Sequence, residues 1–164
     1  MKWLRVFIIF VLMAGSVAKI SYAAGEERFI FSDLTATDKV TGLMWTKDGN
    51  IAEKKLAWKE AFKLIEKLNK QKYAGYSDWR LPTKEELETL VAYAKSRGYR
   101  GYNRDINKLF NKIGFKDVQA FLYWSSSTYA CITTSAWFVN MGDGRVDCYF
   151  KTAAYYVWPV RAGQ

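Results

Sequence analysis

GYSDWRLPTKEELETLVAYA, residues 75–94, contains the most sharply defined helix start in the chain. Thr83 is followed three residues later by Glu86, the spacing of a capping box, in which each side chain accepts a hydrogen bond from the other residue's backbone N–H. Beyond it, apolar residues recur at helical spacing, at Leu87, Leu90, Val91 and Ala94. This pattern predicts a helix that begins after Thr83 and buries one face.

Helical patterns also lie upstream and downstream of this stretch. Between Asn50 and Gln71 the apolar residues with helical spacing are Trp58, Ala61, Phe62, Ile65 and Leu68. They predict a second amphipathic helix, whose other face is rich in lysine with Glu60 and Glu66 interspersed, as on a solvated surface. Further along, the spacing becomes irregular, and we expect only a short helical turn near residues 107–113.

Short aromatic and β-branched runs at both ends of the chain predict strands. Residues 29–45 begin with a β-prone run, turn at Asp38-Lys39 and return as Thr41–Trp45. Four more runs follow: Leu122–Ser125, Ala136–Met141, Val146–Lys151 and Tyr156–Arg161. We expect the N-terminal strand to close against the C-terminal one. Helices in the first half and antiparallel strands in the second define an α+β domain.

The first 23 residues have the features of a secretory signal peptide. Met1–Arg5 carries two positive charges, Val6–Ala18 is apolar for 13 residues, and Ser21-Tyr22-Ala23 offers small residues for cleavage. The alternative is an uncleaved membrane anchor, but spanning a bilayer takes roughly 17 to 25 residues. We expect cleavage after Ala23 and a single domain at 24–164. The mature protein is expected to be periplasmic or secreted, without stable membrane insertion.

The chain contains no histidine, which excludes mechanisms that use imidazole as base or metal ligand. Its net charge is +9, or +6 without residues 1–23. Residues 47–116 hold 17 basic and 9 acidic side chains, whereas residues 117–164 hold three of each. A basic balance can indicate nucleic-acid binding, but export argues against it, and we expect no nucleic-acid partner. The basic region is interpreted as a solvated helix face or a secondary attraction to anionic envelope polymers.

Cys131 and Cys148 are the only cysteines. In an oxidising compartment, such a pair predicts a disulfide, which would add about 3 kcal/mol to the free energy of unfolding. The alternative, a redox or metal-binding pair, usually has closer spacing or further ligands. Asp143-Gly144 is a hairpin signal, and a two-residue loop there would place Val139 opposite Cys148.

Four phrases occur in order: TGLMW at 41–45, GYSDWRLPTKEEL at 75–87, YWSSS at 123–127 and VWPVR at 157–161. From about Asp33 to Gly163, they resemble the bacterial Lcl C-terminal domain family, named for a domain of a collagen-like adhesin. That family is similar in fold to C-type-lectin-like domains. The resemblance implies two main helices, a small twisted antiparallel sheet and a surface of long loops used for ligand binding.

Departures from related proteins limit what the resemblance implies. The Arg-Leu-Pro-Thr helix start is similar to that of formylglycine-generating enzymes, which work through a close pair of copper-binding cysteines. Here the two cysteines are 17 residues apart, so that catalysis is not implied. The chain also contains no Glu-Pro-Asn or Trp-Asn-Asp signature of calcium-dependent lectins and no collagen-like repeat.

Most residues of the four phrases are interpreted as structural. Large aromatics on strands or at a helix start most often fill a core, although a sugar-stacking platform is the alternative. Arg80 and Arg161 are each expected to pair with a carboxylate, such as Asp78, rather than to bind a ligand. The structural residues are Trp45, Trp79, Arg80, Pro82, Thr83, Glu86, Trp124, Trp158 and Arg161.

No residue is predicted to be catalytic. Asp143 and Asp147 could suggest acid–base chemistry, but Asp143 is a turn residue, and nothing places a second carboxylate at the separation that glycosidases use. We therefore expect neither an enzyme nor a metal or cofactor site.

Polar and aromatic residues around the C-terminal strands are the candidates for recognition, because tyrosine and serine give rigid contact area and adaptable hydrogen bonds. They are Ser126, Ser127, Tyr129, Thr133, Thr134, Tyr149, Lys151 and Tyr155. Ordinary loop and strand positions are the alternative interpretation. Our leading hypothesis is a non-catalytic recognition module for a glycan or protein at the envelope or outside the cell. The alternative is a structural or assembly component of the cell envelope.

Overall fold

A computed structural model describes residues 27–101, 103 and 105–163 as a mixture of helices and strands. The helices are α1 (Trp58–Lys70), α2 (Lys84–Ser96) and α3 (Ile106–Ile113). A short 3₁₀ turn at Tyr73–Gly75 lies between α1 and α2. These elements confirm the α+β class. The predicted signal peptide, residues 1–23, lies outside the described residues.

The strands form three antiparallel sheets in the described residues, rather than the single small sheet expected. They are β1 (Phe29–Phe31), β2 (Thr35–Asp38), β3 (Leu43–Thr46), β4 (Leu56–Ala57), β5 (Leu122–Thr128), β6 (Ser135–Asn140), β7 (Val146–Phe150), β8 (Ala154–Tyr155) and β9 (Val160–Ala162). Their orders are β1-β2-β3-β9, β4-β8 and β5-β6-β7.

The N-terminal region forms three strands where the sequence predicted two. The additional turn lies between β1 and β2, where the Ser32 hydroxyl accepts a hydrogen bond from the N–H of Thr35 at 3.0 Å. The next turn is built by Asp38, whose carboxylate accepts hydrogen bonds from the N–H of Val40 and the hydroxyl of Thr41. Since β3 pairs with β9, the expected closure of the N-terminal region against the C-terminal strand is confirmed.

Helix α1 begins at Trp58, later than the predicted segment, although its apolar face is the one that the spacing identified. Residues 50–53 form turns, and Glu53 has a backbone φ of 55°, in the left-handed region that a helix cannot continue through. Leu56 and Ala57 then pair with β8. Periodicity located the helix, whereas strand pairing set its start.

Helix α2 begins as predicted. The Thr83 hydroxyl accepts a hydrogen bond from the N–H of Glu86 at 3.2 Å, and the Glu86 carboxylate accepts one from the N–H of Thr83 at 2.8 Å. All four predicted apolar positions of this helix are buried. The capping box therefore fixes where α2 starts and which face enters the core.

The β6–β7 hairpin has a register different from the one predicted. Trp137, not Val139, lies opposite Cys148, because four residues, 141–144, form the loop instead of two. A shift of two residues leaves each side chain on its expected face of the sheet. It does, however, exchange which side chain contacts the cysteine.

The longer loop is stabilised by the residue at its start. The Asn140 side chain accepts a hydrogen bond from the N–H of Gly142 at 2.8 Å, and its backbone carbonyl accepts one from the N–H of Gly144 at 2.8 Å. Met141 is fully buried, and its N–H donates to the carbonyl of Phe121. These contacts hold Met141 in the loop, so a two-residue turn cannot form.

Two clusters of buried side chains make the core. The first contains residues of β1–β3, α2, α3 and β9, and in it the Trp158 ring lies 5.1 Å from that of Phe115, centroid to centroid. The second lies between α1 and the β5-β6-β7 sheet, where Trp124 packs 4.4 Å from Tyr155. Among the described residues, no helix is long and apolar enough to cross a membrane.

Candidate functional site

The two arginines of the sequence phrases are held by carboxylates, as predicted. Arg161 donates to both oxygens of Asp78, at 2.7 and 3.1 Å, and Arg80 donates to both oxygens of Glu86, at 2.7 and 2.6 Å. The hydrogen bond from Arg161 holds the pKa of Asp78 below its usual range. A bidentate pair of this kind fixes the orientation of both groups, so neither guanidinium is available as a primary ligand contact.

The four tryptophans assigned to structure are at most 2% exposed: Trp45, Trp79, Trp124 and Trp158. Three of them donate their indole N–H to a backbone carbonyl at 2.9 Å. Such bonds satisfy a polar group that burial would otherwise leave unpaired. None of the four therefore offers a ring face on which a sugar could stack.

The eight predicted recognition residues do not converge on one site. The pairing of β5, β6 and β7 places alternate residues on opposite faces of this sheet. Tyr129 contacts Trp137 on the face covered by α2, whereas Tyr149 and Lys151 lie on the face covered by α1. Sequence reasoning grouped these residues because they are close along the chain, but the sheet separates them.

A surface patch on the α2 side is the best-formed candidate site. Trp137 is half-buried, and the ring of Tyr129 stands against it at 5.3 Å and nearly perpendicular, at 88°. The ammonium of Lys84 lies 5.5 Å from the centre of the indole. Ser127 accepts a hydrogen bond from the N–H of Lys84 at 3.2 Å, and Cys148 lies opposite Trp137 in the sheet. We call these five residues the Trp137 patch.

Secondary structure positions the members of the Trp137 patch. The capping box sets the first residue of α2, Lys84, and the Ser127 hydrogen bond ties that residue to β5. Lys84 also lies 3.2 and 3.4 Å from the carboxylates of Glu85 and Glu88. The patch thus combines two aromatic rings with charged groups of both signs on a rigid frame.

On the opposite face of the sheet, Lys151 serves the structure of the loop between β5 and β6. Its ammonium donates to the hydroxyl of Thr128 at 3.0 Å and to the carbonyl of Thr133 at 2.9 Å. It also lies 4.1 Å from the centre of the Trp58 ring, whose N–H donates to the carbonyl of Ser125. These contacts occupy Lys151, although its surroundings remain partly open to solvent.

Two predicted recognition residues are corrected by the structure. Tyr155 is 9% exposed and packs between Trp124 and Phe138, so it belongs to the core; burial raises the pKa of its hydroxyl. Ser126 donates its N–H, at 2.8 Å, and its hydroxyl, at 3.2 Å, to the carbonyl of Pro82. Both residues support the sheet rather than face a ligand.

The remaining predicted residues lie in the β5–β6 loop and on β7. Thr133, Thr134 and Tyr149 are exposed. Around them, three large apolar side chains are about half exposed: Ile132 at 50%, Tyr149 at 52% and Phe150 at 54%. Strand β7 is the edge of its sheet, so this apolar surface borders a strand edge without a partner among the described residues.

The two cysteines are free thiols in the structure, so the predicted disulfide is not present in it. Both nevertheless lie near one tyrosine. The neighbouring thiol of Cys131 raises the pKa of the Tyr129 hydroxyl, and Cys148 contributes to the same effect. Pairing of the cysteines stays a prediction.

Sequence reasoning missed Trp137 and Lys84. The available signal was alternation: Ala136 and Phe138 are buried on one face of β6, so Trp137 between them must point to the other face. Whether that face is covered depends on how α2 packs against the sheet, which the sequence did not show. Within the described residues, no cluster of three or more cysteine or acidic side chains could hold a metal ion.

The fold and the patch define a small α+β domain with an aromatic surface site beside a helix start. The model of the Lcl C-terminal domain family matches residues 34–161. The chain therefore belongs to that family, as its sequence phrases suggested. No curated protein matches the chain. The matched region includes all three helices and the whole β5-β6-β7 sheet.

Proposed function

We propose that this protein is an exported, non-catalytic recognition domain that binds a carbohydrate at the Trp137 patch. The observation that carries the proposal is the half-buried Trp137 ring, walled by Tyr129 and flanked by Lys84. Aromatic rings of this kind provide rigid apolar contact area, while the neighbouring polar groups supply hydrogen bonds. A sugar ring has both an apolar C–H face and hydroxyl groups, which matches this combination.

The charges around the patch favour a neutral sugar over a polyanion. Lys84 is accompanied by Glu85 and Glu88, so the cation is balanced locally. Carboxylates can also accept hydrogen bonds from sugar hydroxyls. The concentration of basic charge lies in residues 47–116, most of which are outside the patch.

Family membership supports recognition as the function. The family is named for a domain of a collagen-like adhesin, and its similarity to C-type-lectin-like folds suggests a surface of loops used for binding. The expected signal peptide would deliver the domain to the periplasm or to the outside of the cell, where envelope glycans and proteins occur. Fold resemblance alone does not assign a ligand, so the proposal depends on the patch.

The carboxylates near the sheet support a non-catalytic role. Asp143 accepts a hydrogen bond from the N–H of Arg145, and Asp147 accepts one from the N–H of Cys148. Each side chain thus stabilises its own strand or turn. Neither of these two carboxylates belongs to the patch, and the chain has no histidine that could act there as a general base.

A panel of neutral and sulfated oligosaccharides tests the proposal by calorimetry. Trp137→Ala should weaken binding of the best ligand at least about tenfold. Phe121→Ala is the matched control, because Phe121 is 39% exposed and also has a lysine, Lys55, over its ring, but lies outside the patch. Tyr129→Ala gives a second variant should Trp137→Ala not fold. Equal affinity of the variant and the wild type, or no glycan binding at high micromolar concentration, contradicts the proposal.

The apolar strip beside β7 favours a second candidate, an envelope structural or assembly component with a protein partner. Ile132 in the β5–β6 loop and Tyr149 and Phe150 on β7 are each about half exposed. Strand β7 is an edge without a partner among the described residues, and such an edge is a common site for adding a partner strand. Capture from an envelope extract should then recover one stoichiometric partner. Phe150→Ser should abolish the capture and Trp137→Ala should leave it intact; the reverse result favours the patch.

A further inference from the structure

A groove outside the Trp137 patch lies between β1, the end of α2 and the end of α3. Its volume is about 530 Å³, within the usual range for small-molecule sites. Its lining residues are Glu27, Arg28, Phe29, Phe31, Tyr93, Arg97, Tyr99, Leu109, Lys112 and Ile113. It shares no residue with the Trp137 patch.

The floor of the groove is apolar and rigid. Phe29 and Leu109 are 3% and 5% exposed, and half-buried Phe31 and Ile113 form walls above them. The ring of Phe29 packs edge-on against Tyr93 at 5.7 Å. Interlocked aromatic rings of this kind leave little freedom to collapse, so the apolar lining stays available to a ligand.

One of the three cations around the groove is already neutralised. Arg28 donates to Asp38, whose side chain is fully buried, and also to the carbonyl of Thr89 at 3.2 Å. Its guanidinium lies 4.9 Å from the centre of the Tyr93 ring. Arg28 therefore shapes the wall of the groove instead of adding free charge.

The other two cations, Arg97 and Lys112, remain at the rim. Neither forms an ion pair with any carboxylate among the described residues. The guanidinium of Arg97 lies 5.4 Å from the centre of the Tyr93 ring. The same ring therefore contacts two arginines, Arg28 and Arg97. Glu27 is the single carboxylate among the lining residues, so the rim carries an excess of positive charge.

We propose that this groove binds a single-chain amphiphilic anion, with its carboxylate between Arg97 and Lys112 and its apolar chain over Phe31 and Ile113. The apolar floor favours burial of a hydrocarbon chain, at roughly 25 cal/mol per Å² of apolar surface removed from water. The two rim cations select an anionic head. A polyanionic sugar would satisfy the cations but leave the apolar floor without a partner.

The test measures binding of dodecanoate to the whole protein by calorimetry, below the concentration at which it forms micelles. The variant Arg97→Gln with Lys112→Gln should weaken binding at least about tenfold, since both charge contacts are lost. The matched control removes the same charge from the exposed face of α1, with Lys59→Gln and Lys67→Gln, and should bind within about twofold of the wild type. Dodecan-1-ol should bind more weakly than dodecanoate.

Several results would overturn this assignment. Absence of dodecanoate binding at about 1 mM, or equal affinity of the groove variant and the control, contradicts it. Displacement of bound dodecanoate by a sulfated oligosaccharide would instead assign the groove to polyanions. Binding only to phosphatidylglycerol vesicles would assign it to a membrane surface. The outcome is independent of the glycan measurements, because the Trp137 patch contributes no residue to the groove.

Discussion

The two larger sheets of this domain use their charged side chains in different ways. Beside the four-stranded sheet, Arg28 and Arg161 form bidentate pairs with Asp38 and Asp78, and both arginines are nearly buried. Beside the three-stranded sheet, Lys84 and Lys151 lie over the rings of Trp137 and Trp58. Arg161 joins segments that are distant in sequence, and Arg28 links Asp38 to the carbonyl of Thr89 in α2, whereas the lysines and rings remain in part open to solvent.

This contrast separates architecture from recognition. A buried arginine held by both oxygens of a carboxylate is not accessible to a ligand, and removing that carboxylate leaves an unpaired charge in the interior. Lys84, over the half-buried Trp137 ring, pairs only with solvent-exposed carboxylates and can exchange these contacts for a ligand. Carbohydrate binding is therefore expected beside the three-stranded sheet, whereas substitutions in the arginine pairs beside the four-stranded sheet should cost stability.

The largest effect is expected from Asp38→Asn. Asp38 is fully buried beside Arg28, so the variant should lower the free energy of unfolding by about 3 to 5 kcal/mol. Urea denaturation measures the change. The control is Glu60→Gln, which breaks the exposed pair with Lys63 and should cost at most about 0.5 kcal/mol. Equal effects in the two variants would remove the contrast between the sheets.

The cysteine pair near the three-stranded sheet gives the next largest effect. If export oxidises Cys131 and Cys148, replacing both with serine should lower the free energy of unfolding by about 3 kcal/mol under oxidising conditions. Reduced wild-type protein is the control and should match the variant. Titration of two free thiols in protein recovered from the periplasm would show that the predicted disulfide does not form.

Acidification should destabilise the protein through the carboxylates of the arginine pairs. Burial alone would raise the pKa of Asp38, but hydrogen bonds from Arg28 and Thr41 outweigh it, and the pKa lies below its usual value. Burial of Glu86 is likewise outweighed by Arg80, so its pKa is also lowered. In each case the folded state releases its proton more readily than the unfolded state, so stability is present above about pH 4 and is lost below it.

Urea denaturation at a series of pH values measures this dependence. The midpoint should be nearly constant from about pH 7 to about pH 5 and should fall as the pH approaches about 3. Asp38→Asn should show a shallower dependence, because one of the lowered pKa values is gone. An unchanged slope in this variant would mean that other carboxylates control acid unfolding.

The smallest change in stability is expected from Lys84→Met. Its two carboxylate partners are exposed to solvent, so the variant should alter the free energy of unfolding by less than about 0.5 kcal/mol. Glycan affinity should nevertheless fall, since the cation beside Trp137 is removed. Lys63→Met, on the surface of α1, is the control for removing one lysine. A loss of stability without a loss of affinity would place Lys84 among the structural charges.

Features that depend on neighbouring residues were predictable from the sequence. The start of α2 follows from Thr83 and Glu86, whose hydrogen bonds span three residues, and the apolar face of α1 follows from its spacing. The start of α1 was not predictable, because it is set by the pairing of β4 with β8, about one hundred residues away along the chain. The candidate site was missed for the same reason: Trp137 meets Lys84 only after α2 packs on the sheet.

By itself, the sequence determined the α+β class, the family, two of the helix faces and the pairing of Arg80 and Arg161 with carboxylates. Periodicity, capping and short motifs encode these because they act over a few residues or on the choice of buried side chains. Only the tertiary structure decided the four-residue loop between β6 and β7, the separation of Tyr129 from Lys151 and the groove at the ends of α2 and α3. Those depend on how sheets and helices pack across long sequence separations, where many arrangements satisfy the same local pattern.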